Sequence, residues 1–90
     1  MLKLHPTAQY KKDRKRAIKR GLPMHKLDDV LRMLIAEQPL GEQYRDHALT
    51  GDYVGFRECH VQPNWLLIYA VDGERLILTA SRTGSHGDLF

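Results

Sequence analysis

The stretch YVGFRECHVQPNWLLIYAVDGERLILTASR, residues 53–82, decides the fold. It divides into YVGFRECHV (53–61), WLLIYAV (65–71) and RLILTASR (75–82), three runs with strand-like composition. The middle run is almost wholly apolar, which suits a central strand covered by helices on one face and partly shielded on the other. Asp72-Gly73 between the second and third runs signals a hairpin, because the pair accepts positive φ, and Gln62-Pro63-Asn64 is a turn candidate between the first and second. Three runs joined in this way predict an antiparallel meander.

Upstream the periodicity changes. After a short strand at Leu2–Leu4, Pro6 is placed to start a helix with the body TAQYKKDRKRAIKR, and Gly21 suits its C-terminal cap. The apolar stripe of this helix is limited to Tyr10, Ala17 and Ile18, so most of its surface faces water or a partner. A second helix follows the break at Leu22-Pro23, with Leu27, Val30, Leu31, Leu34 and Ile35 at three- and four-residue spacing, and Pro39 is expected to end it. The segment 38–52 reads as a connecting loop. Two helices ahead of an antiparallel meander predict an α+β domain.

Ninety residues suit one domain, 1–90, since two cores would each bury too little apolar surface. Hydrophobic and charged shares of 42% and 28% favour neither disorder nor a membrane class. No apolar run approaches the roughly 20 residues that span a bilayer, and the first residues lack a secretory h-region, so a cytoplasmic protein is expected. Cys59 has no partner for an internal disulfide and no Cys neighbours for a zinc cluster.

The net charge of +3 is unevenly placed. Residues 11–20, KKDRKRAIKR, carry +6, and the remaining eighty carry −3. Lys11, Lys12, Arg14, Lys15, Arg16, Lys19 and Arg20 thus form either a docking surface for a polyanion or acidic partner, or a solvated helix face.

Several polar side chains fall near predicted strand ends and turns: His47, Arg57, His60, Asn64, Arg82 and His86. The antiparallel order puts Arg82 and the tail at the same end of the sheet as His60 and Trp65. Histidine exchanges protons near neutral pH and arginine holds phosphate through a fixed fork of donors. Together they suit cleavage of RNA, whose 2′-hydroxyl is the nucleophile and which requires a base, a cation at the phosphorane and an acid for the leaving 5′-oxygen. Trp65 and Phe90 are either platforms for unstacked bases or core residues. Each histidine taken singly is more readily a surface hydrogen-bonding group, and Asn64 a turn residue.

The succession YRDHALTGDYVGFRECHVQPNWLLIY, followed by SRTGSHGDLF, resembles the YafQ branch of the RelE/ParE superfamily of bacterial toxins, over nearly the whole chain. The resemblance implies a RelE-like (microbial ribonuclease-like) fold, with two N-terminal helices packed on an antiparallel sheet and a short C-terminal helical turn. It implies a ribosome-dependent endoribonuclease cutting messenger RNA in the A site, without cofactor or metal. Its partners would be the 70S ribosome and its ribosomal RNA, and an inhibitory antitoxin that also binds operator DNA. The family's active-site histidines match His47, His60 and His86, and its cleft arginine matches Arg82. Asn64, Trp65, Arg57 and Phe90 make up the substrate-binding set. Asn64 stands where the family has an acid, which transfers base duty to His60 with help from His47 and opens the alternative of a weakened, RNA-binding variant. A gyrase poison of the ParE type is a second alternative, opposed by the histidine set. A metal site among the histidines is a third, opposed by their wide spacing.

Overall fold

The computed structural model describes residues 1–90. Strand β1 (Lys3–Pro6) leads into helices α1 (Ala8–Lys19) and α2 (Met24–Ile35). A two-residue strand β2 (His47–Ala48) lies between 3₁₀ turns at Glu42–Tyr44 and Gly51–Tyr53. Strands β3 (Arg57–Gln62), β4 (Trp65–Asp72) and β5 (Ile77–Gly84) follow, and α3 (His86–Leu89) is the last element.

The five strands form one sheet in the order β1-β5-β4-β3-β2. Only β2 to β5 are antiparallel; β1 pairs with β5 in parallel, so the sheet is mixed where the sequence predicted a purely antiparallel one. The connection from β1 to β5 runs through both helices and three strands, far longer than the crossover a parallel neighbour requires.

Local chemistry sets the element ends. Pro6 closes β1, and Thr7 caps α1 by accepting a hydrogen bond from the Tyr10 amide at 3.0 Å. Gly21 takes φ +73° just past α1, as a C-terminal glycine should. At the end of α2 that conformation falls to Glu37 (φ 58°), two residues before Pro39. The β4–β5 connection differs from the Asp-Gly hairpin expected. Positive φ falls on Leu76, and the Asp72 carboxylate accepts from the Glu74 and Arg75 amides, each at 3.1 Å. The carboxylate organises a four-residue connection that a two-residue primed turn would otherwise have made.

The central strand β4 separates two apolar clusters. Trp65, Leu67 and Tyr69 face α1 and α2, packing with Leu27, Val30, Leu31, Leu34, Leu78 and Ala80. Leu66 and Ile68 face the other way and meet Leu89, with Leu49, Tyr53 and Phe56 packed around them. This second face is only partly covered, and it carries the polar groups described next.

A β-bulge determines which side chains reach it. Ile68 pairs with Arg82 and Tyr69 with Ala80, leaving Ser81 as an extra residue in β5. In unbroken alternation Leu78, Ala80 and residue 82 would share the helix-covered face. The bulge shifts the parity, so Arg82 comes opposite Ile68 on the second face and Thr83 turns into the core. Thr7 stabilises the bulge by donating its hydroxyl to the Ser81 carbonyl at 2.8 Å.

Candidate active site

Cross-strand register aligns His47, Glu58, Ile68 and Arg82 in one row across β2, β3, β4 and β5, and His60, Leu66 and Gly84 in the next row. Neighbouring strands lie about 4.8 Å apart, so Glu58 and Arg82 flank roughly 10 Å of sheet, with Ile68 as the floor.

Glu58 is the residue the sequence reading missed. It is 6% exposed, and its Oε1 lies 3.8 Å from His47 Nε2 and 3.7 Å from His60 Nε2. Each imidazole is fixed from its other side. His47 Nδ1 is 2.8 Å from the Arg45 carbonyl oxygen and His60 Nδ1 is 3.2 Å from the Pro63 carbonyl oxygen. A carbonyl only accepts, so Nδ1–H donates in both rings and both Nε2 atoms are left as basic nitrogens beside one carboxylate. The signal for Glu58 was in the sequence: residues 58 and 60 of a strand face the same side.

Arg82 is held by a buried acid. Asp13, 2% exposed on α1, accepts from Arg82 Nε at 3.0 Å and Nη2 at 3.1 Å, from the Thr83 amide at 3.2 Å and from Arg16 at 3.1 Å. Burial works against ionisation of Asp13, but hydrogen bonds from Arg82, Gln9 and Thr83 outweigh it and hold the carboxyl below its ordinary range. The same contact, with a smaller contribution from the Tyr53 phenol, raises Arg82. Asp13 thus uses one edge of the guanidinium and leaves Nη1 for another ligand.

His86 opens α3, and its ring stacks at 5.0 Å and 32° on Phe90, whose ring meets Tyr53 edge-on at 5.7 Å. The turn has a capping box: Ser85 accepts from the Asp88 amide, and the Asp88 carboxylate accepts from the Ser85 amide. Arg20 clamps Asp88 from α1, at 2.6 and 3.1 Å, and pushes the carboxyl far below its ordinary value. Gly84 makes room for this clamp, since a Cβ there would lie 3.0 Å from Asp88 Cβ.

Two predicted substrate residues lie elsewhere. Trp65 is 1% exposed in the helix-covered core and donates its indole N–H to Thr83 Oγ1 at 2.9 Å, so it is no base platform. Arg57 is on that same face, paired with Asp46, because its odd position in β3 opposes that of Glu58 and His60. Asn64 is exposed in the β3–β4 turn, and Phe90 is 55% exposed beside His86. The basic decade also divides. Arg14 pairs with Asp28, Arg16 with Asp13 and Arg20 with Asp88, whereas Lys11, Lys12, Lys15 and Lys19 are exposed and unpaired.

A family model described as the bacterial toxin of a type II toxin–antitoxin system, YafQ, matches residues 2–90. The chain belongs to this family. It is 42% identical over 85 residues, 93% of its length and 90% of the relative's, to the mRNA interferase toxin YafQ of Escherichia coli K12. A chain of the crystallised E. coli DinJ–YafQ complex superposes with a TM-score of 0.91 at 37% identity, over 100% of this chain and 99% of that one. A metal-bound toxin from Helicobacter pylori superposes at 0.94 with 39% identity over all of both chains. In the present chain no group of three or more His, Cys, Asp or Glu side chains is arranged to hold a metal ion. No helix is long and apolar enough to cross a membrane.

Proposed function

We propose that this YafQ-family toxin is a ribosome-dependent endoribonuclease that cuts messenger RNA in the ribosomal A site and thereby stops translation. The observation that carries the reading is Glu58 between two imidazoles whose Nε2 atoms are free to accept a proton. His60 takes the proton of the 2′-hydroxyl, with His47 as the second imidazole, and Glu58 stabilises the imidazolium that forms. The 2′-oxygen bonds to phosphorus as the bond to the 5′-oxygen breaks. Arg82 holds the phosphorane through its uncommitted Nη1, and His86 returns a proton to the leaving 5′-oxygen. The products are a 2′,3′-cyclic phosphate and a 5′-hydroxyl. Glu58 supplies the negative charge that Asn64 cannot, and Asn64 serves as a hydrogen-bonding contact to RNA.

The E. coli relative forms a complex with DinJ, and the present toxin is held inactive by a cognate antitoxin of its own. Lys11, Lys12, Lys15 and Lys19 provide the surface for ribosomal RNA, and an acidic antitoxin segment covers the same lysines. Operator DNA is engaged through the antitoxin. The toxin acts in the bacterial cytoplasm, where its target is.

Primer-extension mapping of a message with and without ribosomes tests the reading. Cuts should appear in the parent only with ribosomes and disappear in His86→Ala. Cleavage absent from the parent but restored by Asn64→Asp would overturn the roles of His60, His47 and Glu58. Gyrase inhibition without RNA cleavage would overturn the activity itself.

A further inference from the structure

Beside His60 the sheet edge opens into a groove of about 680 Å³ whose walls include His25, Lys26, Asp29, Tyr44, Arg45 and His60 itself. The groove exists because β2 is only two residues long. It pairs with Arg57 and Glu58 and leaves the rest of that β3 edge without a neighbouring strand. The groove is also cationic. Its one carboxylate, Asp29, is paired with Arg32, whereas Lys26 and Arg45 have no acidic partner.

A third feature connects the groove to the chemistry. Arg45 is a non-glycine residue in the left-handed region, at φ 48° and ψ 43°. Such a conformation persists only where the surroundings over-determine it, and it tends to mark functional segments. Here it allows one residue to serve both sites: the Arg45 carbonyl fixes His47 Nδ1–H, and its side chain lines the groove.

Reaction polarity selects the occupant. The 2′-hydroxyl that His60 deprotonates belongs to the nucleotide on the 5′ side of the scissile phosphate, while His86 serves the 3′ side. The geometry points to this groove as the subsite for the RNA nucleotides immediately 5′ of the cut, with Lys26 and Arg45 on their phosphates and Tyr44 as the aromatic wall for an unstacked base. The inference rests on the ribonuclease reading above.

The test uses RNA oligonucleotides centred on a mapped cut site, made uncleavable by a single 2′-deoxy substitution there and lengthened one nucleotide at a time on either side. Binding to the parent should tighten up to about tenfold with 5′ extension. In the double variant Lys26→Ala, Arg45→Asn that gain should vanish, the gain from 3′ extension should remain, and the salt slope should fall by about 1.4 for two lost phosphate contacts. Asparagine at 45 tolerates the left-handed backbone and keeps the carbonyl on His47. Lys3→Ala, Arg75→Ala removes the same charge elsewhere and should keep the 5′ gain. An unchanged 5′ gain in the groove variant, or an equal loss in this control, overturns the subsite while cleavage by the parent leaves the ribonuclease reading standing. A parent that neither binds these oligonucleotides nor cuts message on ribosomes overturns both. Loss of antitoxin binding with RNA binding intact assigns the groove to the antitoxin and also overturns the proposal.

Discussion

Glu58 and Arg82 show how differently two side chains of one site can be read from sequence. Glu58 was passed over although the alternation of a strand would have found it: it lies two positions from His60 and shares its face. For Arg82 alternation gives the wrong face, because nothing in Thr79-Ala80-Ser81-Arg82 announces that Ser81 is the extra residue of a bulge. Trp65 failed for a related reason, since one step along β4 separates the cleft floor at Leu66 from the core. Residue identity narrowed the chemistry, but register decided who takes part. Glu58 is therefore the residue to test first. Glu58→Gln keeps the shape and removes the charge that steadies an imidazolium; single-turnover cleavage should slow by about 10² or more while KM and thermal midpoint stay close to the parent's. A purely structural Glu58 would lower the midpoint and leave the rate per folded molecule unchanged.

The second helix and the three long strands were legible as elements, because periodicity and length agreed with the tertiary outcome. Helix α1 was legible in extent but not in purpose. Its single acid, Asp13, looked like an interruption of a basic run and is the partner of Arg82. The split between arginines and lysines follows from chemistry: a planar fork binds a carboxylate through paired donors, whereas an ammonium is a well-hydrated point charge that does better in water. At about 100° per residue, Lys11, Lys12, Lys15 and Lys19 fall within an arc of about 100°. Replacing these four by glutamate should reduce ribosome association and its salt dependence, measured by co-sedimentation, while unfolding free energy changes by only about 0.5 kcal/mol per site. Gly84→Ala belongs to the same scale. The added methyl crowds Asp88 at 3.0 Å, so Asp88 has to give by a few tenths of an ångström, and α3 carries His86. Cleavage should fall several-fold or more while antitoxin binding persists, as titration calorimetry against the parent would show. Undiminished cleavage would mean that α3 tolerates displacement.

For the molecule as a whole, composition and the order of elements were enough to give an α+β architecture. The parallel placement of β1 was not legible, since no local signal records which edge a terminal strand joins. Arg16 and Arg82 bind Asp13, and Arg20 binds Asp88, so two carboxylates tie α1 to the last strand and turn. Both carboxyls are held below the ordinary aspartate value near 3.9, so their stabilisation is complete above it and is lost as pH falls through their depressed folded values. Unfolding free energy should thus decline below about pH 4, and Asp13→Asn should flatten that decline while costing about 2–4 kcal/mol at pH 7 by chemical denaturation. An equally steep acid limb in the variant would remove Asp13 from the linkage. The sheet order has one more consequence, in the timing of synthesis. Strand β5 is made after the other four, yet it lies between β1 and β4 and supplies both Arg82 and the chain leading to His86. Until β5 emerges β1 has no partner, Asp13 has no Arg82 to neutralise it and the cleft lacks its β5 wall. A ribosome making this toxin therefore carries an unassembled site until β5 and the turn behind it arrive.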